Sequence, residues 1–231
     1  MMSEDIMRIL MMKSNPILWH DNIPIDEELL SDTIDNILSG DQEIRGEDKY
    51  HTSYFINMGT GNGADRIFDG YYNDIIVRVL TDLGLQHRCS YQVGKWMQVY
   101  TNDQSMRIHD HYGGGELVSF VHFVQPIDTK VFYFYDSNNN KIYPDEQKKD
   151  DFIVFPPWLQ HGVDSNNTDN QRAIISGNVM LDLMYRNEDH NYTKITYTKR
   201  YGGDGETLLI DIGDNPHLNK NKQRHSDLDS L

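Results

Sequence analysis

From Arg88 onward this chain is cut into short extended runs by clusters of turn-forming residues, and no other feature restricts its fold as much. Trp96, Gln98 and Tyr100 alternate with Met97 and Val99. Runs rich in β-branched and aromatic residues follow at 117–124, 130–135, 151–155, 173–181, 195–201 and 207–212. Gly113-Gly114-Gly115, Ser137-Asn138-Asn139-Asn140, Ser165-Asn166-Asn167 and Gly202-Gly203 divide them. Many short strands joined by turns predict a β-sandwich or barrel.

Two helical patterns precede the strands. Leu29, Leu30, Ile34, Ile37 and Leu38 recur at three- and four-residue steps, which predicts a helix over about 26–39. Asp26 stands at its N-cap, Glu27 and Glu28 fill its first turn, and Gly40 closes it. A second helix is expected over 65–83, with Tyr71, Tyr72, Ile75, Ile76, Val79 and Leu80 in its apolar stripe and Gly84 at its end. Between them, residues 58–63 are rich in Gly and Asn and suit a turn or lid. The expectation is a mainly β fold with helical additions: one domain over 1–213, its β-core at about 86–212, buttressed by N-terminal helices. Residues 214–231 are polar and without periodicity, and read as a tail that is disordered or ordered by a partner.

Charge narrows the function classes. With 21 Lys+Arg against 36 Asp+Glu, the net charge of −15 repels phosphate backbones, so nucleic acid is not an expected partner. An anionic substrate would need a local positive group. Cys89 is the single cysteine, which excludes an intrachain disulfide and reads as inert core. No stretch reaches the roughly 18 apolar residues of a membrane helix. Glu4, Asp5 and Arg8 interrupt the apolar opening, so no signal peptide is read there. A soluble, cytoplasmic protein is the expectation.

The chain has ten histidines, and position matters more than number. On a strand, His109 and His111 would share one face and Asp110 would take the other. His161 follows the run Phe152-Ile153-Val154-Phe155-Pro156-Pro157-Trp158, and Arg172 opens a later strand. Two ligands on one strand and a third from a distant strand can make a facial metal site with open positions opposite. Imidazole suits iron, zinc, copper or nickel, so the ligand type does not choose the metal.

These residues resemble the 2-oxoglutarate- and Fe(II)-dependent oxygenase superfamily, closest to its prokaryotic and phage branch. The branch carries a His-x-His, here His109-Asp110-His111. A strand shaped like Ser-x-x-x-Tyr-x-x-x-Pro follows, here Ser119-Phe120-Val121-His122-Phe123-Val124-Gln125-Pro126. Next comes an aspartate-led strand ending in Phe-Pro-x-Trp-Leu-x-His, matched by Asp151 through Phe155-Pro156-Pro157-Trp158-Leu159-Gln160-His161. An arginine-led strand ending in Ser-x-Asn closes the pattern, here Arg172-Ala173-Ile174-Ile175-Ser176-Gly177-Asn178. The likeness covers residues 96–181.

The resemblance implies a double-stranded β-helix, a jelly roll related to the cupins, with Fe(II) as cofactor and 2-oxoglutarate as cosubstrate. It implies hydroxylation of a small-molecule or peptidyl substrate. His109 and His161 would be iron ligands, and Arg172 would pair with the distal carboxylate of 2-oxoglutarate. Ser176 and Asn178 share Arg172's strand face, and Gln98 and Tyr100 form a similar inward row, so all four are candidates to bind cosubstrate or substrate.

Two departures from the family pattern stand out. His111 occupies the place where most of the superfamily has Asp or Glu; either it is the third ligand, or a bulge turns Asp110 inward as the carboxylate ligand. Asp150 replaces the glycine usual before the aspartate-led strand. Other readings stay open. One is a three-histidine, cupin-type dioxygenase in which Arg172 holds a substrate carboxylate. Another is a jelly roll kept for assembly, into a virion-like particle or a homo-oligomer. Trp96, Trp158, Phe132 and Phe134 are expected in the core, His122 as a packed histidine, and Gly113–Gly115 as a flexible turn at the pocket mouth.

Overall fold

The computed structural model describes residues 16–39, 50–53, 69–85, 90–111, 116–165, 168–181, 193–202 and 205–213. The strands are β1 (Trp19–Asn22), β2 (His51–Thr52), β3 (Ser90–Tyr100), β4 (Met106–His109), β5 (Glu116–Gln125), β6 (Phe132–Tyr135), β7 (Lys141–Ile142), β8 (Asp151–Phe155), β9 (His161–Val163), β10 (Arg172–Leu181), β11 (Thr193–Gly202) and β12 (Gly205–Gly213). Two helices are present among the described residues, α1 (Glu27–Ser39) and α2 (Asp69–Asp82).

Both helices start from local rules and are completed by packing. The Asp26 carboxylate accepts the backbone N–H of Leu29 at 2.8 Å, which caps α1. A helix of 13 residues is marginal by itself in water. Burial of Leu30, Ile34 and Ile37 supplies what propensity lacks, at about 1.5–3 kcal/mol for each fully buried side chain. α2 buries Tyr72, Ile75, Ile76, Val79 and Leu80 and stops at Gly84, whose φ of 68° glycine adopts without strain.

An eight-stranded sheet runs β1-β8-β5-β10-β3-β11-β12, with β2 alongside β3, and a four-stranded sheet runs β4-β9-β6-β7. Their strand pairs are antiparallel. Alternation sorts the large sheet's residues onto two buried faces. Val93, Met97, Val99, Val118, Phe120, Phe152, Val154, Ala173, Ile175 and Val179 pack with α1 and α2 in one core cluster. Tyr100, Val121, Phe123, Ile153, Phe155 and Ile174 pack against Met106, Phe132, Phe134 and Val163 of the small sheet in a second. The fold is a jelly roll: two sheets around one core, with helices closing the outer face of the larger.

The expected runs and helices have counterparts among the described residues, with additions. Some are longer than expected (β3, β5, β10, β11, β12) and some shorter (β6, from Phe132 and not 130, and α2, ending at Asp82). β3 begins at Ser90, ahead of the alternation that signals it, and β1, β2, β7 and β9 have no counterpart in the sequence reading. These strands are two to four residues long, too short to show a period. Of the expected second helix, residues 65–68 lie outside the described residues. So do Cys89, Gly113–Gly115, residues 58–63 and the tail 214–231. Asp150 stands at a φ of 67°, the left-handed region that the family's glycine would fill easily.

Candidate metal and anion site

β4 and β9 are neighbours in the small sheet, with His109 directly opposite His161. The chain leaves β4 after His109, and the backbone N–H of His111 donates to the Pro157 carbonyl at 2.8 Å. That bond ties the residue to the turn that leads into His161. One potential ligand nitrogen each from His109, His111 and His161 lies within 4.8 Å of the others. Ring centroids are 4.3 Å apart for His109 and His161, and 5.2 Å apart for each pair that includes His111. Asp110 is exposed and is not part of the cluster.

Two of the rings are oriented by backbone. His109 Nδ1 lies 3.0 Å from the Arg107 carbonyl and His161 Nδ1 2.8 Å from the Leu159 carbonyl. A carbonyl only accepts, so each Nδ1 carries the proton and each Nε2 keeps its lone pair. Burial, helped by the neighbouring histidines, holds His161 well below the ordinary imidazole range. Burial and then His109 bring His111 down to about 4. At neutral pH both rings are therefore neutral, the state in which imidazole binds metal.

The inner face of the large sheet carries the rest. Arg172 is opposite Tyr100, Ile174 opposite Gln98, Ser176 opposite Trp96 and Asn178 opposite Gly94. The Ser176 hydroxyl donates to Gln98 Oε1 at 3.1 Å, and the Tyr100 hydroxyl reaches the same oxygen at 3.3 Å. Asn178 is bonded to Ser119 and to His111. So the row Arg172, Ser176 and Asn178 runs along one strand face to the histidine cluster.

Arg172 is the unusual member. It is 3% exposed, its guanidinium sits 4.0 Å above the Tyr100 ring, and its Nε and Nη2 have no hydrogen-bond partner. It lines a cavity with Phe123, Pro126, Thr129, Phe132 and Gln147, and is the one charged side chain of that wall among the described residues. Gln147 spends its amide on backbone groups of Val131, Phe132 and Pro144. Burial lowers the Arg172 pKa to about 10, which still leaves a full charge at neutral pH. A buried, charged fork with free N–H groups fits a carboxylate.

The structure thus brings His109, His111 and His161 together, and sets Arg172, Tyr100, Gln98, Ser176 and Asn178 on the adjoining wall. Trp96 is half-buried beside His111, with ring centroids 6.4 Å apart. Trp158 packs on the inter-sheet core and Phe132 and Phe134 are within it. Ser119, which opens the Ser-x-x-x-Tyr-x-x-x-Pro-like run in the sequence but is not among its candidate site residues, belongs to this wall through its register opposite Asn178.

No family profile matches the chain, and no curated protein matches it in sequence. Solved structures do share its fold. A prolyl-4-hydroxylase from Pseudomonas putida aligns with a TM-score of 0.53 at 11% identity, covering 75% of this chain and 97% of its own. SnoN, a non-heme alpha-ketoglutarate-dependent epimerase from nogalamycin biosynthesis, aligns with a TM-score of 0.55 at 11% identity, covering 90% and 94%. HygX from Streptomyces hygroscopicus, solved with nickel and 2-oxoglutarate bound, aligns with a TM-score of 0.52 at 9% identity, covering 78% and 87%. At such identities the likeness is one of fold.

Proposed function

We propose that this protein is an Fe(II)- and 2-oxoglutarate-dependent dioxygenase that hydroxylates a small-molecule or peptidyl substrate. His109, His111 and His161 hold the metal, and Arg172 holds the cosubstrate. The observation that carries this reading is the unpaired guanidinium of Arg172. A buried charge without a partner costs several kcal/mol, so the fold has reason to keep one only where a ligand completes it. A dicarboxylate that reaches from a metal to that fork would do so with two parallel hydrogen bonds. The neutral imidazoles fit Fe(II), and their shared placement on one side leaves positions for other ligands.

When bound, the metal with 2-oxoglutarate and O2 supplies the oxidising chemistry. The chain supplies position and exclusion of water. Tyr100 stacks on Arg172 and fixes its plane. Gln98 is held by Ser176 and Tyr100 as a polar ledge beside the path from Arg172 to the histidines. Phe132, Phe134 and Phe155 form the dry floor.

The test is cosubstrate binding and turnover. Wild-type protein with Fe(II) should bind 2-oxoglutarate and convert it to succinate, slowly without substrate and faster with it. In Arg172→Ala binding should weaken about 100-fold, and turnover at the same cosubstrate concentration should fall with it. A wild-type protein that takes up Fe(II) but neither binds 2-oxoglutarate nor forms succinate would overturn the reading.

A further inference from the structure

His111 is oriented differently from its two neighbours. His109 and His161 each face a backbone carbonyl, which fixes the proton on Nδ1. His111 Nδ1 instead lies 3.2 Å from the Asn178 side-chain amide, with Nδ2 toward the ring. A side-chain amide has two ends, one that only donates and one that only accepts. With Nδ2 toward the ring, Nδ1 must accept and the ring proton sits on Nε2. That tautomer has no lone pair on Nε2 for a metal. With the amide turned over, Oδ1 accepts from Nδ1–H and the Nε2 lone pair is free.

The far end of the amide tolerates both states. Asn178 Oδ1 accepts from the Ser119 hydroxyl at 2.7 Å. A hydroxyl both donates and accepts, so after a turn Ser119 Oγ can receive Nδ2–H and aim its own proton elsewhere. Ser119 and Asn178 are 1% and 4% exposed, so water does not compete with the bond between them. The two residues are opposite each other in the β5–β10 ladder, which holds the donor and acceptor in reach.

We propose that Asn178 is a positioning residue whose amide, turning over between Ser119 and His111, sets the tautomer of His111 and so opens or closes the third metal position. This rests on the reading that the three histidines bind a metal. The site then has two permanently prepared ligands and one that must be switched on.

Two measurements test it on the full chain. The first is a two-bond 1H–15N correlation of the imidazole nitrogens, which reports the tautomer directly. In metal-free wild type His111 should carry its proton on Nε2 while His109 and His161 carry theirs on Nδ1, and Zn(II) should move the His111 proton to Nδ1. In Asn178→Asp, whose carboxylate only accepts, the Nδ1–H form should be present before any metal is added. The second is Co(II) titration followed by its visible absorption. Asn178→Leu should bind about tenfold or more weakly than wild type, in the range measured for orienting partners of metal ligands, while Asn178→Asp binds at least as tightly as wild type. Nδ1–H on His111 in metal-free wild type would overturn the switch, as would equal Co(II) affinity in wild type and Asn178→Leu. Failure of the underlying reading looks different: wild type itself would bind no Co(II), or His161→Ala would bind it as well as wild type.

Discussion

The two faces of the large sheet each bury a strongly polar side chain, and they treat it in opposite ways. On the helix side, His122 is fully buried with both ring nitrogens engaged: Nδ1 accepts from the Tyr72 hydroxyl at 2.7 Å, and Nε2–H donates to the Ile23 carbonyl at 2.9 Å. That arrangement is closed. It joins α2, β5 and the segment after β1, and leaves nothing for a ligand to do. On the inner side, Arg172 is nearly as buried and leaves Nε and Nη2 unmatched. Burial is thus common to both, and the difference lies in completion. A polar group whose partners are all within the chain serves the fold, and one left open points to something the chain does not contain.

Acid should break the closed side with the largest effect. A free imidazole takes up a proton near pH 6.5, whereas burial holds His122 down to about 4. Between those values the unfolded chain binds a proton that folded His122 refuses. Stability present at neutral pH is therefore lost as pH falls through that window, by roughly 3 kcal/mol from this residue. Thermal melts from pH 7 to pH 4 should show the decline, and His122→Leu should make it shallower, leaving the share that buried His111 and His161 contribute by the same linkage. A slope unchanged in that variant would place the acid sensitivity elsewhere.

The open side should respond to ligand and not to folding. Arg172→Ala should weaken 2-oxoglutarate binding about 100-fold, equal to about 2.7 kcal/mol, in calorimetry on the metal-loaded protein. The melting temperature of the ligand-free protein should hold or rise, because an unpaired buried cation has been removed. Tyr72→Phe reverses the pattern. It should cost about 1–2 kcal/mol in denaturant unfolding, for the bond lost and the His122 nitrogen left bare, with 2-oxoglutarate affinity unaltered. The smallest change belongs to neither face. Asp150 holds a left-handed φ at the entrance to β8 with its Oδ1 buried and unbonded. Asp150→Gly should raise stability by roughly 0.5 kcal/mol, relief of backbone strain being partly offset by glycine's freedom in the unfolded chain.

The same contrast explains what could be read from sequence. Strand parity places Arg172, Ser176 and Asn178 on one face of β10 and Gln98 and Tyr100 on one face of β3, because alternation is a local property. The cap at Asp26 and the apolar stripe of α2 are local too. The placement of His111 relative to Asp110 is not. It depends on how the chain leaves β4, where the backbone of His111 is bonded to Pro157, far along the sequence. Nor can sequence tell that His122 is completed and Arg172 is not, since the partners of each come from other elements. The short strands β1, β2, β7 and β9 escape for a related reason: pairing with distant strands, more than any pattern of their own, makes them extended.

β10 has a consequence for heredity. Its ladder with β3 runs without a shift from Arg172 opposite Tyr100 to Leu181 opposite Tyr91. One codon gained or lost between Ile174 and Ser176 would leave Arg172 in place and turn Ser176 and Asn178 toward the helices, with apolar neighbours taking their positions. Across this strand, descendants that keep the site can change letters but not length. The exposed turn at Asp136 to Asn140, held by one aspartate bonded to the backbone of Asn138 and Asn140, is where insertions can accumulate without reaching the site.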